Sequence, residues 1–297
     1  MNHSEAHSTT DDGARGSAAD PTRGDATAAP GGGADPGDTD GRARLRAEFD
    51  RQLREGVRPD GPDSTVERVG GVVRHTSTPA GWNGVIWSDL TEATADAAIA
   101  EQVRHFGARG VAFEWKLYDY DEPADLGRRL LAAGFTAEPA EALMVAEVAR
   151  QAAEPRPPEG VSLRPVRDAA DVALMAEVHA RAFGTDATRL HQRVLEQLED
   201  GSETMHAVLA MAGDEPVCAA RMEFNPGTDF VGLWGGGTVA AWRGRGIYRA
   251  LVAHRARLAA EHGYRYLQVD ASDDSRPILE RLGFVRLATT TPYVRES

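Results

Sequence analysis

The stretch from Phe230 to Tyr248, FVGLWGGGTVAAWRGRGIY, decides how this chain is read. Its first part has the apolar character of a strand, but Gly235, Gly236 and Gly237 interrupt it. Glycine inside a strand marks a bulge or a place where something approaches the backbone closely. Arg243-Gly244-Arg245-Gly246 follows and opens a helix with Ile247, Leu251 and Leu258 on one face. A strand, a glycine-containing loop and a helix start together make an anion site. The first amides of a helix lack internal partners and lie at the positive end of its dipole. The glycines admit a phosphate to the backbone and the arginines add charge, so the segment predicts a phosphorylated ligand. No Gly-Lys-Ser/Thr follows, which excludes a Walker A loop. The G-x-G-x-x-G order of a dinucleotide site is absent as well.

Around this segment the pattern alternates strands and helices. Strands are predicted over 161–166, 206–212, 216–224, 230–239, 264–271 and 284–294, with helices over 169–183, 187–198, 246–262 and 275–282. Residues 41–150 read similarly. A helix lies near 43–55, with Leu45, Phe49 and Leu53 at successive i+4 spacing, and another runs from Thr91, as N-cap, to Phe106. Strands cover Val66–His75, Asn83–Trp87, Gly110–Leu117 and Glu141–Ala149, with a helix at Asp125–Ala133. Between the halves, 151–160 (QAAEPRPPEG) holds three prolines and reads as a linker. The halves share a unit, since LGRRLLAAGF (126–135) and PILERLGF (277–284) each place helix, Gly, Phe and strand in that order. An internal duplication follows as the expectation.

On Arg243 to Tyr248 and on Glu280-Arg281-Leu282-Gly283-Phe284, the chain resembles the GCN5-related N-acetyltransferase (GNAT) superfamily. The resemblance covers about 161–294, with a weaker echo over 66–149. It implies an α/β fold of two mixed, mostly antiparallel sheets flanked by helices. It also implies that Arg243, Gly244, Arg245, Gly246, Ile247 and Tyr248 form the Q/R-x-x-G-x-G/A loop holding the pyrophosphate of acetyl-CoA. Tyr248 departs from that pattern, which has Gly or Ala there. Gly237, Thr238 and Val239 match the positions that pair with the pantetheine arm, where a free amide would also stabilise an oxyanion. In the first half, Ser88-Asp89-Leu90 offers neither glycine nor arginine. The organisation expected is a disordered acidic tail at 1–40, a degenerate GNAT-like domain at 41–150, the linker, and an acetyltransferase domain at 161–297.

The proton-transfer groups are read from strand alternation. Glu223 lies opposite the apolar face of Cys218, Ala220, Met222 and Phe224, and Asp270 ends a strand where such sheets place ligands. Asp270 is the first choice of base and Glu223 the second, with Tyr293 as a candidate acid. The position where many relatives carry a catalytic tyrosine is Leu279. Cys218 reads as a small core residue, and no metal-ligand spacing exists.

The 46 acidic and 33 basic side chains give a net charge of −13. That argues against a nucleic-acid surface, which needs Lys and Arg to neutralise phosphates. Residues 1–40 hold eight acidic and two arginine side chains and, apart from Met1, no Leu, Ile, Val, Met, Phe, Tyr, Trp or Cys, too little to support a core. One cysteine excludes an internal disulfide, and no apolar run is long enough for a membrane span. A cytoplasmic location is the default. Lys116 is the single lysine among arginines, read as codon bias from a GC-rich genome. The function expected is acetyl transfer from acetyl-CoA to a primary amine by direct attack in a ternary complex. The competing readings are an acyl-CoA-binding sensor or scaffold without turnover, and a longer acyl donor or non-amine acceptor.

Overall fold

The computed structural model describes residues 39–296, apart from 62, 79–80, 185–186 and 200–203. All but the last two residues of the expected acidic tail lie outside these. Helix α1 (Thr39–Phe49) buries Leu45 and Phe49 and continues as a π-helical turn over Asp50–Arg54. Strands β1 (Thr65–Val69) and β2 (Val72–Thr76) pair antiparallel where a single strand over Val66–His75 was expected. Gly70 and Gly71, at φ 58° and 85°, turn the chain between them, a conformation that glycine adopts cheaply.

The first half continues through β3 (Gly84–Ser88), α2 (Ala95–Gly107), β4 (Phe113–Tyr118), α3 (Leu126–Ala132), β5 (Thr136–Ala137) and β6 (Glu141–Glu147). Helix α2 starts four residues later than expected. Residues 91–94 form a turn of their own, in which the Thr91 amide donates to Thr94 Oγ1 at 2.9 Å. A short α4 (Val148–Gln151) leads to β7 (Val161–Pro165), α5 (Ala169–Phe183), α6 (Thr188–Glu199), β8 (Met205–Ala212), β9 (Glu215–Phe224) and β10 (Phe230–Thr238). Then come α7 (Ile247–Glu261), β11 (Tyr266–Ala271), α8 (Arg276–Arg281) and β12 (Val285–Arg295). Helix α5 has the bounds its sequence predicts. The Asp168 carboxylate accepts from the Asp171 amide at 2.9 Å, and Gly184 ends the helix at φ 71°.

The strands form one mixed sheet in the order β1-β2-β3-β4-β12-β6-β11-β10-β9-β8-β7, with β5 beside β12. The α/β class and mostly antiparallel pairing are as expected, but the strands of the two halves run on into one another. The joint is an exchange. Strand β6 of the first half lies between β11 and β12, and β12 lies between β4 and β6. Leu143, Met144 and Val145 at the middle of β6 are completely buried, as a strand covered on both faces requires. Each such side chain contributes roughly 1.5–3 kcal/mol.

Helices α2 and α3 pack on the face that bears Phe113 and Trp115, and the same face carries α7 and α8 against Met222 and Met144. Helix α1 covers the opposite face over Tyr118, Leu143, Val145 and Phe230. Arg54 pins its end there. The guanidinium lies 3.7 Å from the Tyr118 ring centre, donates to both Asp121 oxygens at 2.9 and 2.7 Å, and reaches Ile86 O at 3.0 Å. Gln52, on the same turn, exchanges hydrogen bonds with Asp229 at 2.9 and 2.6 Å. The first half's helix is thereby fastened over the second half's strands.

Candidate functional site

Strand β10 pairs with β11 in parallel only from Phe230 to Gly232, opposite Tyr266 to Gln268. Beyond that point the two strands part, and β10 stays with β9 through a register shift between Trp234 and Gly237. Gly235 takes φ 59° in that bulge. The result is a split whose β10 edge, from Leu233 onward, has no ladder partner among the described residues.

The split leads to the start of α7. Gly244 and Gly246 adopt φ 75° and 84°, and nothing lies within 4 Å of where their Cβ atoms would stand. The amides from Gly244 to Arg249 find no acceptor among the described residues, and the first cross-boundary helical bond runs from Ala250 to Gly246 O at 3.1 Å. Several aligned donors therefore face solvent at the positive end of a fifteen-residue helix. The two arginines of the loop are exposed and each has a contact within the chain. Arg243 donates to Thr238 O at 3.1 Å and Ala182 O at 3.0 Å, and Arg245 stacks 4.5 Å over the Trp242 ring.

Tyr248 has a physical account. A Cβ on Gly236 would meet its ring at 2.7 Å, so the tyrosine packs into the space that the glycine leaves empty. Its side chain folds back over the sheet and its amide remains outward. Ile247 is buried beneath the loop. Val239 is engaged on both sides, donating to Val217 O at 3.0 Å and accepting from Trp242 N–H at 2.9 Å. By alternation along the ladder, the Thr238 amide then faces away from β9 towards the split. Gly237 lies against α5, with Phe183 where its side chain would be. Cys218 is fully buried, 3.1 Å from Thr238 Oγ1, and burial pushes its thiol up to about 11. It is a core thiol and no nucleophile at neutral pH.

On the α1 face the split opens into a cavity of about 640 Å³, whose walls come from both halves of the chain. Asp270 and Glu223 both line it. Trp234 stands between them on β10, directly opposite Arg221. The Asp270 side chain is only 6% exposed. Its Oδ2 accepts from Lys116 Nζ at 2.7 Å, and its Oδ1 is buried without a partner. Lys116 comes from β4, across β12 and β6, and also lies 3.7 Å from Glu141. Burial alone would lower the Lys116 pKa, but the Asp270 charge, first among its attractions, raises it above the usual lysine range. Burial pushes Glu141 up despite Lys116 beside it. Glu114 completes this group, accepting from Trp82 Nε1 at 2.9 Å.

Tyr293 is not brought to this cavity. It pairs with Trp115 and packs on the core of the other face, its hydroxyl against Gly127 of α3. Leu279 is fully buried beneath β6. Lys116, Glu114 and Glu141 escaped the sequence reading, because they lie more than 120 residues from Asp270. The solitary lysine was the one signal available. Among the described residues no three His, Cys, Asp or Glu side chains cluster as metal ligands, and no helix is long and apolar enough to cross a membrane.

Residues 172–284 match the model of the acetyltransferase (GNAT) family. Among solved structures, the chain is similar to a GCN5-related N-acetyltransferase from Kribbella flavida, with TM-score 0.61 and 19% identity over 86% of this chain and 94% of that one. It is similar to a functionally unknown conserved protein from Staphylococcus epidermidis, at TM-score 0.62 and 16% identity over 82% and 97%. A tandem GNAT protein from the clavulanic acid biosynthesis pathway matches at TM-score 0.57 and 14% identity over 86% and 94%. No curated protein matches the sequence.

Proposed function

We propose, from the match of residues 172–284 to the GNAT family model and from the open junction between β10 and α7, that this chain is a GNAT protein of tandem-domain form that transfers an acetyl group from acetyl-CoA to a primary amine. One observation carries the reading. A strand edge with unmet backbone groups runs from a helix start rich in free amides to a cavity where a buried carboxylate oxygen has no partner. The residues present suit acetyl-CoA. The open glycine loop and the amides up to Arg249 would hold the pyrophosphate, and the β10 edge from Leu233 to Thr238 would pair with the pantetheine arm. Bound acetyl-CoA supplies an acyl carbon activated as a thioester and a thiolate leaving group.

The roles of the chain follow. Asp270 Oδ1 accepts the proton that the attacking amine must lose, and Lys116 fixes the carboxylate through Oδ2. The Thr238 amide donates to an oxygen that gains negative charge, a contribution worth most where water is excluded. The cavity holds the acceptor so that attack is direct and no acyl-enzyme is needed, consistent with the buried, protonated state of Cys218.

The test is thiol release from acetyl-CoA across a panel of amines. Release with one acceptor supports transfer, and tight binding without release for every acceptor supports the sensor reading instead. Asp270→Asn is expected to lower turnover at least tenfold while acetyl-CoA affinity holds, within the ~10²–10⁴-fold that a general base typically supplies. Glu223→Gln is the parallel test at the second carboxylate. Full turnover in both variants would remove these side chains from the proton path.

A further inference from the structure

We propose that the acceptor carries a carboxylate as well as its amine, and that Arg221 is the residue that reads it. The inference rests on the acetyl-transfer reading above and adds the substrate's chemical class.

Arg221 sits on β9 opposite Trp234, beside the Gly235 bulge, and its side chain is only 15% exposed. Its one side-chain hydrogen bond runs from Nε to Glu223 Oε1 at 3.3 Å. Both terminal amino groups have no protein partner among the described residues, and the fork lines the cavity. An arginine serving only to hold a carboxylate presents two parallel N–H groups to it. Here the contact is single and long, and the fork is left over.

The surroundings reinforce the surplus. Arg193 of α6 approaches the same Glu223 Oε1 at 3.7 Å, so two guanidiniums share one carboxylate oxygen. Asp60, the other acid at this end, is already paired with His75 at 3.0 Å. At the opposite end the balance reverses, with Asp270, Glu141 and Glu114 around Lys116. The cavity is therefore rich in N–H donors on the β9 side and in carboxylates on the β11 side. At least two strand spacings, roughly 9.6 Å between backbones and wider where β10 and β11 part, separate the ends, a span that the reach of both side chains shortens. An ammonium on Asp270 and a carboxylate on Arg221 satisfy both with one molecule lying across Trp234. A carboxylate suits the Arg221 end better than a phosphate, because Glu223 at its side penalises a doubly charged group.

The experiment uses matched acceptors on the full-length protein. 4-Aminobutyrate, 5-aminovalerate and glycylglycine are compared with their methyl esters and with alkylamines of equal length. Expected is a kcat/KM at least 100-fold higher for the best free carboxylate than for its ester, falling to threefold or less in Arg221→Gln. Arg221→Lys should restore part of the preference, since it keeps the charge and loses the fork. Esters or alkylamines that match the carboxylates within threefold overturn the proposal, as does a preference that survives Arg221→Gln. Should that variant fail to fold, the wild-type comparison of acid and ester decides alone. Should no amine release thiol, the acetyl-transfer reading falls. The carboxylate site then stands or falls on whether the free acids, but not the esters, raise the melting temperature.

Discussion

Two junctions in this molecule occupy corresponding places and were finished in opposite ways. In the second half, β10 leaves its parallel neighbour after Gly232 and reaches α7 through a loop whose amides are unmet. In the first half, β3 pairs in parallel with β4 at Gly84 and Val85 and reaches α2 through Asp89 to Thr94. There four of the donors find acceptors, while the amides of Leu90, Glu92, Ala93, Asp96 and Ala97 have none among the described residues. Asp89 N–H goes to Gly71 O at 2.7 Å, Thr91 N–H to Thr94 Oγ1, and Thr94 and Ala95 N–H both to Thr91 O. Leu90 plugs the core, and the side chains of Asp89 and Glu92 add negative charge. Arg54 also donates to Ile86 O at the first position beyond the parallel pair. One junction leaves every amide from Gly244 to Arg249 without an acceptor among the described residues, and the other meets part of the corresponding set from its own chain and sets acidic side chains beside the rest. Our reading of the first half as a degenerate copy rests on this contrast, in which the acidic side chains and the lack of a glycine loop weigh as much as the hydrogen bonds.

The hardest test of the contrast falls on the open junction. Gly246→Glu puts a side chain at φ 84° and a negative charge where the amides converge, so acetyl-CoA affinity should fall at least 100-fold by calorimetry. Wild-type protein should bind one acetyl-CoA per chain, and a stoichiometry near two would break the comparison. On the closed side, Arg54→Met removes a buried cation from Asp121 and Asp50. Losing one partner of such a pair typically costs about 3–5 kcal/mol, which lowers the melting temperature on the order of 10 °C. The stoichiometry should stay at one, since Asp89 and Glu92 still set negative charge at that helix start.

Smaller effects probe what the closed half lends to the open one. Glu141 titrates above the ordinary 4.5 because it is buried, so the folded protein holds its proton more tightly than the unfolded chain. Stability from this group is present below 4.5 and is lost as pH rises through the folded value. Glu141→Gln should therefore melt higher than wild type at pH 7 and lose that advantage near pH 4. A deficit at pH 7 would instead mean that the Lys116 contact outweighs burial. Tyr293→Phe should do least. Its hydroxyl packs against α3 on the face away from the cavity, so turnover is expected within twofold of wild type.

The sequence carried most of what depends on near neighbours. Helix α5 could be bounded from Asp168 and Gly184, and the bulge could be placed from three consecutive glycines. The β1–β2 turn was equally legible in Gly70-Gly71, but the apolar residues on either side read as one run. The start of α2 slipped because Thr91 caps a local turn and not the helix. What stayed hidden is what joins distant residues. No local pattern says that β6 pairs with β11 and β12 and not within its own half. With that pairing unread, Lys116 had no visible reason to stand beside Asp270, and its solitude looked like base composition. The two carboxylates were found because strand alternation is local, and the lysine that holds Asp270 was missed because strand order is not.

The exchanged strands also bear on how the protein is made. Strand β6 ends at Glu147 and its first partner, β11, begins at Tyr266, which is 119 residues later. At roughly 5–20 residues per second, a ribosome needs about 6–24 seconds to cover that distance. For that interval Leu143, Met144 and Val145 have been synthesised and the strands that will flank them have not. A nascent chain in that state displays an apolar strand with two bare edges, which is what chaperones hold and aggregates recruit. Slow codons between the halves would lengthen the exposure, so soluble yield should track translation speed across this interval more closely than across any other part of the message.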